Sequence, residues 1–476
     1  MVASIFFEFS LPNAATWFYF SFLLANAVFF KFDRFLSFRN WDLVSLYLLV
    51  PGLLLVQEAH SLQSQLPAEY RENQARSRLA KLDRLPEEFE AIREESRELL
   101  LAGYIWLIAG TAYFFGRCLL DLGLEKRPTF PPNLNLPGLV WLGAALVICV
   151  SAVAIRRMPD SPVHVGRGPV AITKVTDGAT AVVESSSNAE TNSIPFWVER
   201  VAAIGLHLSV IAALFLIGQR RFGDPTIGAG MACLYGLLPY TAYHVSQIHH
   251  VWPAAFILWA VYSYRRPAIA GAILGFAAGS AFFPLLLFPL WFGFYRGRGA
   301  GRFALGFLLA MLLSLAGTAA LLLFSGELRE YLRWTLSLSD WQAWKVPRTE
   351  GLWQGSHWAY RLPVFIAYMA FIVLTMFWPT PRNLAQVIAQ TAAVVIGVQF
   401  WYADQGGVYV LWYLPLVLLM VFRPNLTDVR PPVPPPASLG ISSLAARLMA
   451  KIRPRSLASQ PGVATHARSE TGLSTN

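Results

Sequence analysis

Polar residues that could take part in chemistry are concentrated in one short stretch between two apolar segments. The stretch reads Tyr240-Thr-Ala-Tyr243-His244-Val-Ser246-Gln247-Ile-His249-His250. Polar groups at membrane depth are costly, so they are usually paired or functional. His244 and Gln247 are spaced i, i+3 and share a helix face, and we expect them to contact a ligand together with His250. No His-x-x-x-His spacing and no carboxylate accompanies the three histidines, so no metal site is predicted. Plain interfacial side chains at the level of the lipid headgroups are the alternative interpretation of this stretch.

Two further clusters carry carboxylates. One is the short loop Tyr402-Ala-Asp404-Gln405-Gly406-Gly407, and the other is Asp340-Trp341-Gln342-Ala-Trp344 in a Trp-rich segment. A carboxylate can deprotonate a hydroxyl as a general base, so Asp340 and Asp404 are candidate catalytic residues. Candidate ligand contacts beside them are Gln405, Trp341 and Trp344. A solvated turn and an interfacial aromatic belt are the alternative interpretations of the two clusters.

The composition restricts the kind of scaffold that positions these residues. Of the 476 residues, 55% are apolar and 14% are charged, whereas an ordinary soluble domain has about 25% charged residues. A soluble enzyme could not cover so much apolar surface. We predict an all-α polytopic membrane protein with about 11–13 membrane segments. The net charge of +10 then reports orientation and lipid contact and predicts no nucleic-acid partner.

Composition also divides the chain into parts. Residues 58–98 hold 17 of the 66 charged residues and predict a charged amphipathic helical segment that could contact a protein partner. Val, Ile and Thr runs broken by Gly predict a small β-hairpin in an extramembrane loop at 157–198. The membrane parts are 1–57, 99–156 and a core at 199–423 with the Trp-rich loop 325–360, and a Pro-rich basic cytoplasmic tail at 424–476 is predicted to be largely disordered.

Residues 267–295 are too long for one crossing and too short for two. Pro284 near the middle and arginines on both sides predict a broken or re-entrant hairpin, with one tilted helix as the alternative. Gly271, Gly275 and Gly279 recur every four residues, a spacing that allows close helix packing in lipid. Lys and Arg in the short loops place the N-terminus outside and all three polar clusters at the outer face of the plasma (inner) membrane.

The stretch from about 235 to 423 resembles the C-class, polyprenyl-phosphate-sugar-dependent glycosyltransferases, family 87 and relatives. The resemblance rests on the Gln247-bearing turn, the glycine-rich helix with its central Pro284, and the last span with Tyr409 and Pro415. It implies a multi-span fold, an outward active site, a lipid-linked sugar donor and an acidic base on an early outer loop. The early acids by order are Asp33, Asp42 and Asp121, but the orientation above places them at the inner side.

The expected function is transfer of a sugar from a polyprenyl-phosphate-linked donor to an acceptor at the outer face, as in a hexosyltransferase. Membrane lipids and the lipid-linked sugar are the expected partners, and no cofactor beyond that donor is expected. A lipid or solute transporter and a non-enzymatic membrane scaffold are the alternatives. The sequence holds neither a phosphate-binding loop nor a dinucleotide-binding glycine motif, which argues against an ATP-driven pump.

Overall fold

The computed structural model describes residues 14–66, 87–124, 129, 131–156, 194–324, 343–344, 350–380 and 382–433. Every regular element within these residues is helical. In chain order the α-helices are α1 (Ala14–Phe29), α2 (Phe38–Ser45), α3 (Val50–Gln65), α4 (Glu87–Asp121), α5 (Leu136–Arg156), α6 (Ile194–Ile217), α7 (Pro225–Leu237), α8 (Pro239–Tyr243), α9 (Ile248–Tyr262), α10 (Pro267–Ser280), α11 (Phe288–Phe294), α12 (Ala300–Phe324), α13 (Trp358–Phe377), α14 (Leu384–Trp401) and α15 (Leu414–Phe422).

Seven helical stretches in the described part of the chain are long and apolar enough to cross a membrane: Phe38–Gln65, Phe89–Asp121, Leu136–Ile155, Trp197–Phe222, Ala300–Ala320, Trp358–Phe377 and Leu384–Trp401. Four shorter apolar helices accompany them: Ala15–Phe29, Ile248–Tyr262, Pro267–Ser280 and Phe283–Phe294. The protein is therefore an all-α polytopic membrane protein, as its composition predicts. Together they make eleven apolar elements, of which seven are long enough for a full crossing.

Four of the predicted non-membrane parts fall wholly or partly outside the described residues. Of the Trp-rich loop 325–360, residues 325–342 and 345–349 lie outside. Residues 67–86 hold the middle of the charged segment, 157–193 hold the predicted β-hairpin, and 434–476 hold most of the basic tail. The two flanks of the charged segment are helical, because they belong to the end of α3 and the start of α4. The last residues of the 157–198 loop are also helical, since α6 begins at Ile194.

Two ends of the helical bundle can be defined along α4. Tyr104 and the His60 side chain of α3 bind one common carboxylate. Near the C-terminus of α4, Arg117 and Asp121 meet Asp42 of α2. Tyr104 and Asp121 are about 25 Å apart along the helix, at 1.5 Å per residue. We call the end near His60 and Tyr104 the histidine end, and the end near Asp42 and Asp121 the arginine end.

Residues 267–295 form the hairpin that the sequence predicts. At the histidine end of α10, Trp252 Nε1 of α9 donates to Ser280 Oγ at 2.8 Å. A 3₁₀ turn, Phe283–Leu287, follows and contains Pro284. Helix α11 then returns to the arginine end, where Tyr295 OH donates to the carbonyl oxygen of Tyr264 at 2.7 Å. Both ends of the hairpin therefore lie at the arginine end.

The glycines of α10 allow its backbone to touch α12. A Cβ atom added at Gly271 or Gly275 would collide with the carbonyl oxygens of Phe303 and Phe307. This is the close approach that the four-residue spacing of small residues predicts. Because the contact is backbone to backbone, it holds the hairpin against a long lipid-facing helix.

Four buried charged side chains join three helices at the arginine end. Arg117 donates through Nε and Nη2 to Asp42 at 2.6 and 2.9 Å, and through Nη1 to Asp121 at 3.3 Å. Arg423, just after α15, donates through Nε to Asp121 at 2.9 Å. None of the four side chains is more than 8% exposed. Among the described residues, the two carboxylates and two guanidinium groups of this network balance in formal charge.

Candidate active site at the histidine end

Glu350 is held by side chains from two different helices. Its Oε1 atom accepts a hydrogen bond from Tyr104 OH at 2.9 Å and lies 2.8 Å from His60 Nε2. The Glu350 side chain is 23% exposed, whereas that of His60 is 8% exposed. The carboxylate is therefore fixed by a buried pair and still reaches the surface of the bundle.

The loop after α14 brings a second carboxylate to the same place. The backbone N–H of Gln405 donates to the carbonyl oxygen of Glu350 at 2.7 Å. The half-buried Asp404 accepts from Tyr409 OH at 3.4 Å, while Glu350 accepts from Tyr104 OH. Each acid thus has a phenol neighbour, and a carboxylate in such a site can act as a general base.

The loop keeps its shape through an unusual backbone at Gln405. Gln405 has φ +47°, a left-handed conformation that is costly for a residue with a Cβ atom. The side chain is buried at 2% exposed. Gly407 also has a positive φ, and its N–H donates to Gln399 Oε1 at 2.9 Å. A strained residue at a site of converging polar groups suggests a functional constraint.

The three candidate contacts of the 240–250 stretch lie beside these acids. His244 Nδ1 is 2.7 Å from Gln247 Oε1, so these two side chains do meet. The rings of His244 and His250 stack with centroids 3.8 Å apart, and His250 stacks on Tyr409 at 5.0 Å. His250 is 1% exposed, and its Nδ1 atom has no hydrogen-bond partner among the described residues. A ligand group that reached this atom would gain a hydrogen bond in a buried setting, where such bonds matter most.

The stack continues beyond the histidines as a column of five rings. Tyr409 stacks on Trp412 with centroids 4.2 Å apart, and Trp412 stacks on Phe283 at 4.2 Å. Interplanar angles along the column, which begins at His244 and includes His250, are 15–26°. Both faces of Trp412 are covered, so this indole supports its neighbours. Phe283 lies at the tip of the hairpin, and the column therefore fastens the hairpin to the histidines.

A cavity of about 430 Å³ lies between α5, α6 and α7. Its wall includes the exposed side chains of Val140, Ile148 and Leu208, so it opens sideways toward the lipid. Nearly all of its lining is apolar, and His207 and Thr241 stand at its inner side. An apolar pocket of this size with few polar groups is typical of a ligand site.

The cavity is long and points at the histidine end. It extends along α5 from Leu139 to Ser151, which is about 18 Å at 1.5 Å per residue. On α6 its lining ends with Ile204, and Arg200 lies one helical turn further on the same face. Arg200 is 6% exposed and donates through Nη1 to the carbonyl oxygen of Ser246 at 3.3 Å. A buried cation thus stands between the cavity and the histidine-bearing loop.

The candidates from the sequence divide into three groups. Five lie at the histidine end: Asp404, Gln405, His244, Gln247 and His250. Asp340 and Trp341 lie outside the described residues, and Trp344 is 53% exposed with no role assigned by its surroundings. The early acids lie elsewhere, because Asp42 and Asp121 are in the ionic network of the arginine end and Asp33 faces Arg34 at 3.9 Å on the surface.

Four residues of the site were not found from the sequence: Glu350, His60, Tyr104 and Arg200. Glu350 and His60 are 290 positions apart, and no local spacing connects them. Arg200 could have been found from α6, because it continues the periodic face formed by Ile204 and His207. The other three required the fold.

Comparison with protein-family models, curated proteins and solved structures finds no significant match to this chain. The site is therefore interpreted from its own geometry. Within the described residues, no group of three or more His, Cys, Asp or Glu side chains is arranged to hold a metal ion. The chemistry available to the site is that of carboxylates, imidazoles, phenols and the buried guanidinium groups of Arg200 and of Arg361, which donates to the carbonyl oxygen of Trp401 at 2.6 Å.

Proposed function

We propose that this chain is an integral membrane glycosyltransferase that transfers a sugar from a polyprenyl-phosphate-linked donor to an acceptor hydroxyl at the histidine end. The observation that carries the proposal is the continuous face of α6, on which Arg200 follows the apolar lining of the lateral cavity. An apolar chain lying in the cavity places a phosphate beside Arg200. The sugar then lies toward the loop that bears His244 and His250.

The carboxylates supply the base for this reaction. Glu350 or Asp404 accepts the proton of the acceptor hydroxyl. The acceptor oxygen forms a bond to the anomeric carbon, the bond from that carbon to the phosphate oxygen breaks, and the configuration inverts. The electron pair leaves with the polyprenyl phosphate, whose negative charge is stabilised by the Arg200 guanidinium.

The histidine pair and its neighbours orient the sugar. The buried Nδ1 of His250 can exchange a hydrogen bond with a sugar hydroxyl, and the pairing of His244 with Gln247 fixes the ring on which His250 stacks. Tyr409 connects this stack to Asp404. A base and a sugar contact are thus coupled through one phenol, which favours a fixed distance between them.

The test is donor consumption by the purified full-length protein in proteoliposomes. A panel of radiolabelled polyprenyl-phosphate hexoses is supplied, and release of polyprenyl phosphate is measured. We expect Glu350→Gln or Asp404→Asn to lower kcat by about 10²–10⁴-fold, the usual contribution of a general base, and the larger loss identifies the base. The matched control is Asp428→Asn, an exposed acid at the arginine end, which should leave turnover unchanged.

A second pair of variants tests the cavity. Ala232→Phe fills the cavity, whereas Ala212→Phe adds the same group to an exposed position of α6. We expect Ala232→Phe to raise KM for the donor with little change in kcat, and Ala212→Phe to change neither. Binding of the donors without consumption would contradict the enzymatic proposal and favour a lipid transporter. Turnover that is equal in the Glu350, Asp404 and Asp428 variants would contradict the proposed base.

A further inference from the structure

A second polar region lies at the arginine end, away from the candidate active site. Arg220 and Arg221 lie in the π-helical turn Gly218–Phe222 that follows α6, and both contact Tyr262 at the end of α9. Arg265 and Arg221 both lie over the ring of Tyr264. We call these three arginines and two tyrosines the arginine–tyrosine cluster. Turns of the π type occur frequently at functional sites.

The tyrosines hold the three guanidinium groups in place. Arg220 Nη1 donates to Tyr262 OH at 3.1 Å, and Arg221 Nε donates to the carbonyl oxygen of Tyr262 at 2.8 Å. Arg221 also lies 4.8 Å from the Tyr262 ring centre, within the range of a cation–π contact. Arg265 Nε donates to Tyr264 OH at 3.2 Å. Each of these bonds uses one of the five N–H donors of a guanidinium group, so most of the donors remain for a ligand.

The positive charge of the cluster is not balanced by nearby acids. Among the residues that the structure describes, none of the ion pairs involves Arg220, Arg221 or Arg265. The nearest acid in the sequence, Asp224, caps α7 by accepting from the Thr226 N–H at 2.7 Å and is in none of these ion pairs. Like charges this close repel one another. An anion bound among them would lower their energy.

The cluster lies where apolar helices end. The candidate span Trp197–Phe222 finishes in the π turn, and the apolar helices Ile248–Tyr262 and Pro267–Ser280 finish and begin beside it. Ile269, the third residue of α10, is 42% exposed. Tyr and Arg at such a position lie at the depth of lipid headgroups. The forked guanidinium group also matches the oxygen geometry of a phosphate.

We propose that the arginine–tyrosine cluster is a binding site for the phosphate of an anionic phospholipid. Its position at the ends of three apolar helices favours a lipid headgroup over a soluble anion. The site is independent of the candidate active site and of the proposed glycosyl transfer. It would anchor the turn after α6, and therefore one wall of the lateral cavity, to the leaflet at the arginine end.

The test is titration of the delipidated full-length protein in neutral detergent with fluorescent phosphatidylglycerol, and with phosphatidylcholine as the neutral probe. We expect selective binding of phosphatidylglycerol. The triple variant Arg220→Gln, Arg221→Gln, Arg265→Gln should weaken it on the order of a hundredfold, from the loss of charge-assisted hydrogen bonds to the phosphate. The double variant Arg221→Lys, Arg265→Lys keeps the charge and should still lose affinity because the forks are gone.

The matched control removes three other arginines from the same end: Arg266→Gln, Arg296→Gln and Arg302→Gln, all exposed. This control should retain the affinity of the parent protein. Equal losses in the two triple variants would show diffuse attraction and overturn a built site. Displacement of phosphatidylglycerol by excess inorganic phosphate would overturn the lipid assignment in favour of a soluble anion. Unchanged phosphatidylglycerol binding in the lysine variant, with parent-like thermal unfolding, would overturn recognition of the phosphate by paired guanidinium hydrogen bonds.

Discussion

Removal of one acid from the ionic network of the arginine end should destabilise the whole bundle. Asp121 is fully buried and uses both carboxylate oxygens, with Arg117 at 3.3 Å and Arg423 at 2.9 Å. Asp121→Asn keeps the shape but changes the formal charge of the network from zero to +1. Because loss of one partner leaves a buried charge uncompensated, we expect the free energy of unfolding to fall by about 3–5 kcal/mol.

The measurement is reversible unfolding in mixed micelles, followed by circular dichroism. The double variant Asp121→Asn, Arg423→Gln restores neutrality, and it should be more stable than Asp121→Asn alone, since removal of a whole buried pair is often nearly neutral. The control is Asp33→Asn, which removes an acid that is 73% exposed and 3.9 Å from Arg34. A surface pair of this kind contributes at most about 1 kcal/mol.

Two results would refute this reasoning. If Asp121→Asn costs no more than Asp33→Asn, the buried acid is not paired in the folded protein. If the double variant loses the sum of the two single losses, Asp121 and Arg423 are not coupled. Either result would mean that the pair of Asp121 and Arg423 does not stabilise the contact between α4 and the C-terminus of α15.

Substitutions at three further positions should change the stability of the protein, which thermal unfolding measures. Gly275→Leu should lower Tm because its side chain meets the Phe307 backbone, whereas Gly205→Leu enters open space and should not. Gln405→Gly should be more stable than Gln405→Ala by about 1–2 kcal/mol, because both variants lose the buried side chain and only glycine adopts a left-handed φ without strain; equal stability of the two would contradict the strain. Trp412→Leu should cost about 2–4 kcal/mol and shift the His250 ring resonances in a ¹⁵N-histidine spectrum, and unshifted resonances would contradict the stacked column.

The membrane architecture could be predicted because it depends on local properties of the chain. The length of its apolar run decides whether a helix can cross a bilayer, and that length can be counted directly along consecutive residues. The hairpin at 267–295 was predictable for the same reason, since Pro284 breaks the helix and flanking arginines hold both ends at one surface. The close packing of Gly271 and Gly275 also followed from spacing alone, although the sequence could not name α12 as the partner.

The candidate site was predictable only where its residues are neighbours in the chain. The pairing of His244 with Gln247 follows from i, i+3 spacing. Glu350 resembles other acids of its segment, and only the antiparallel packing of α3 and α4 brings His60 and Tyr104 to it. Contacts between residues so far apart depend on helix order in the bundle, which hydropathy does not encode.

The lateral cavity has a consequence for how the protein must be handled. It lies between α5 and α6 over about 18 Å, so a lipid chain bound there, as proposed above, would supply contacts that the two helices do not make with each other along this stretch. A lipid that binds only the folded state stabilises it by about 2.7 kcal/mol at a hundred times its dissociation constant. The measured free energy of unfolding would then depend on both the protein and the bound lipid. It should fall as purification strips lipid away and return when the lipid is added back.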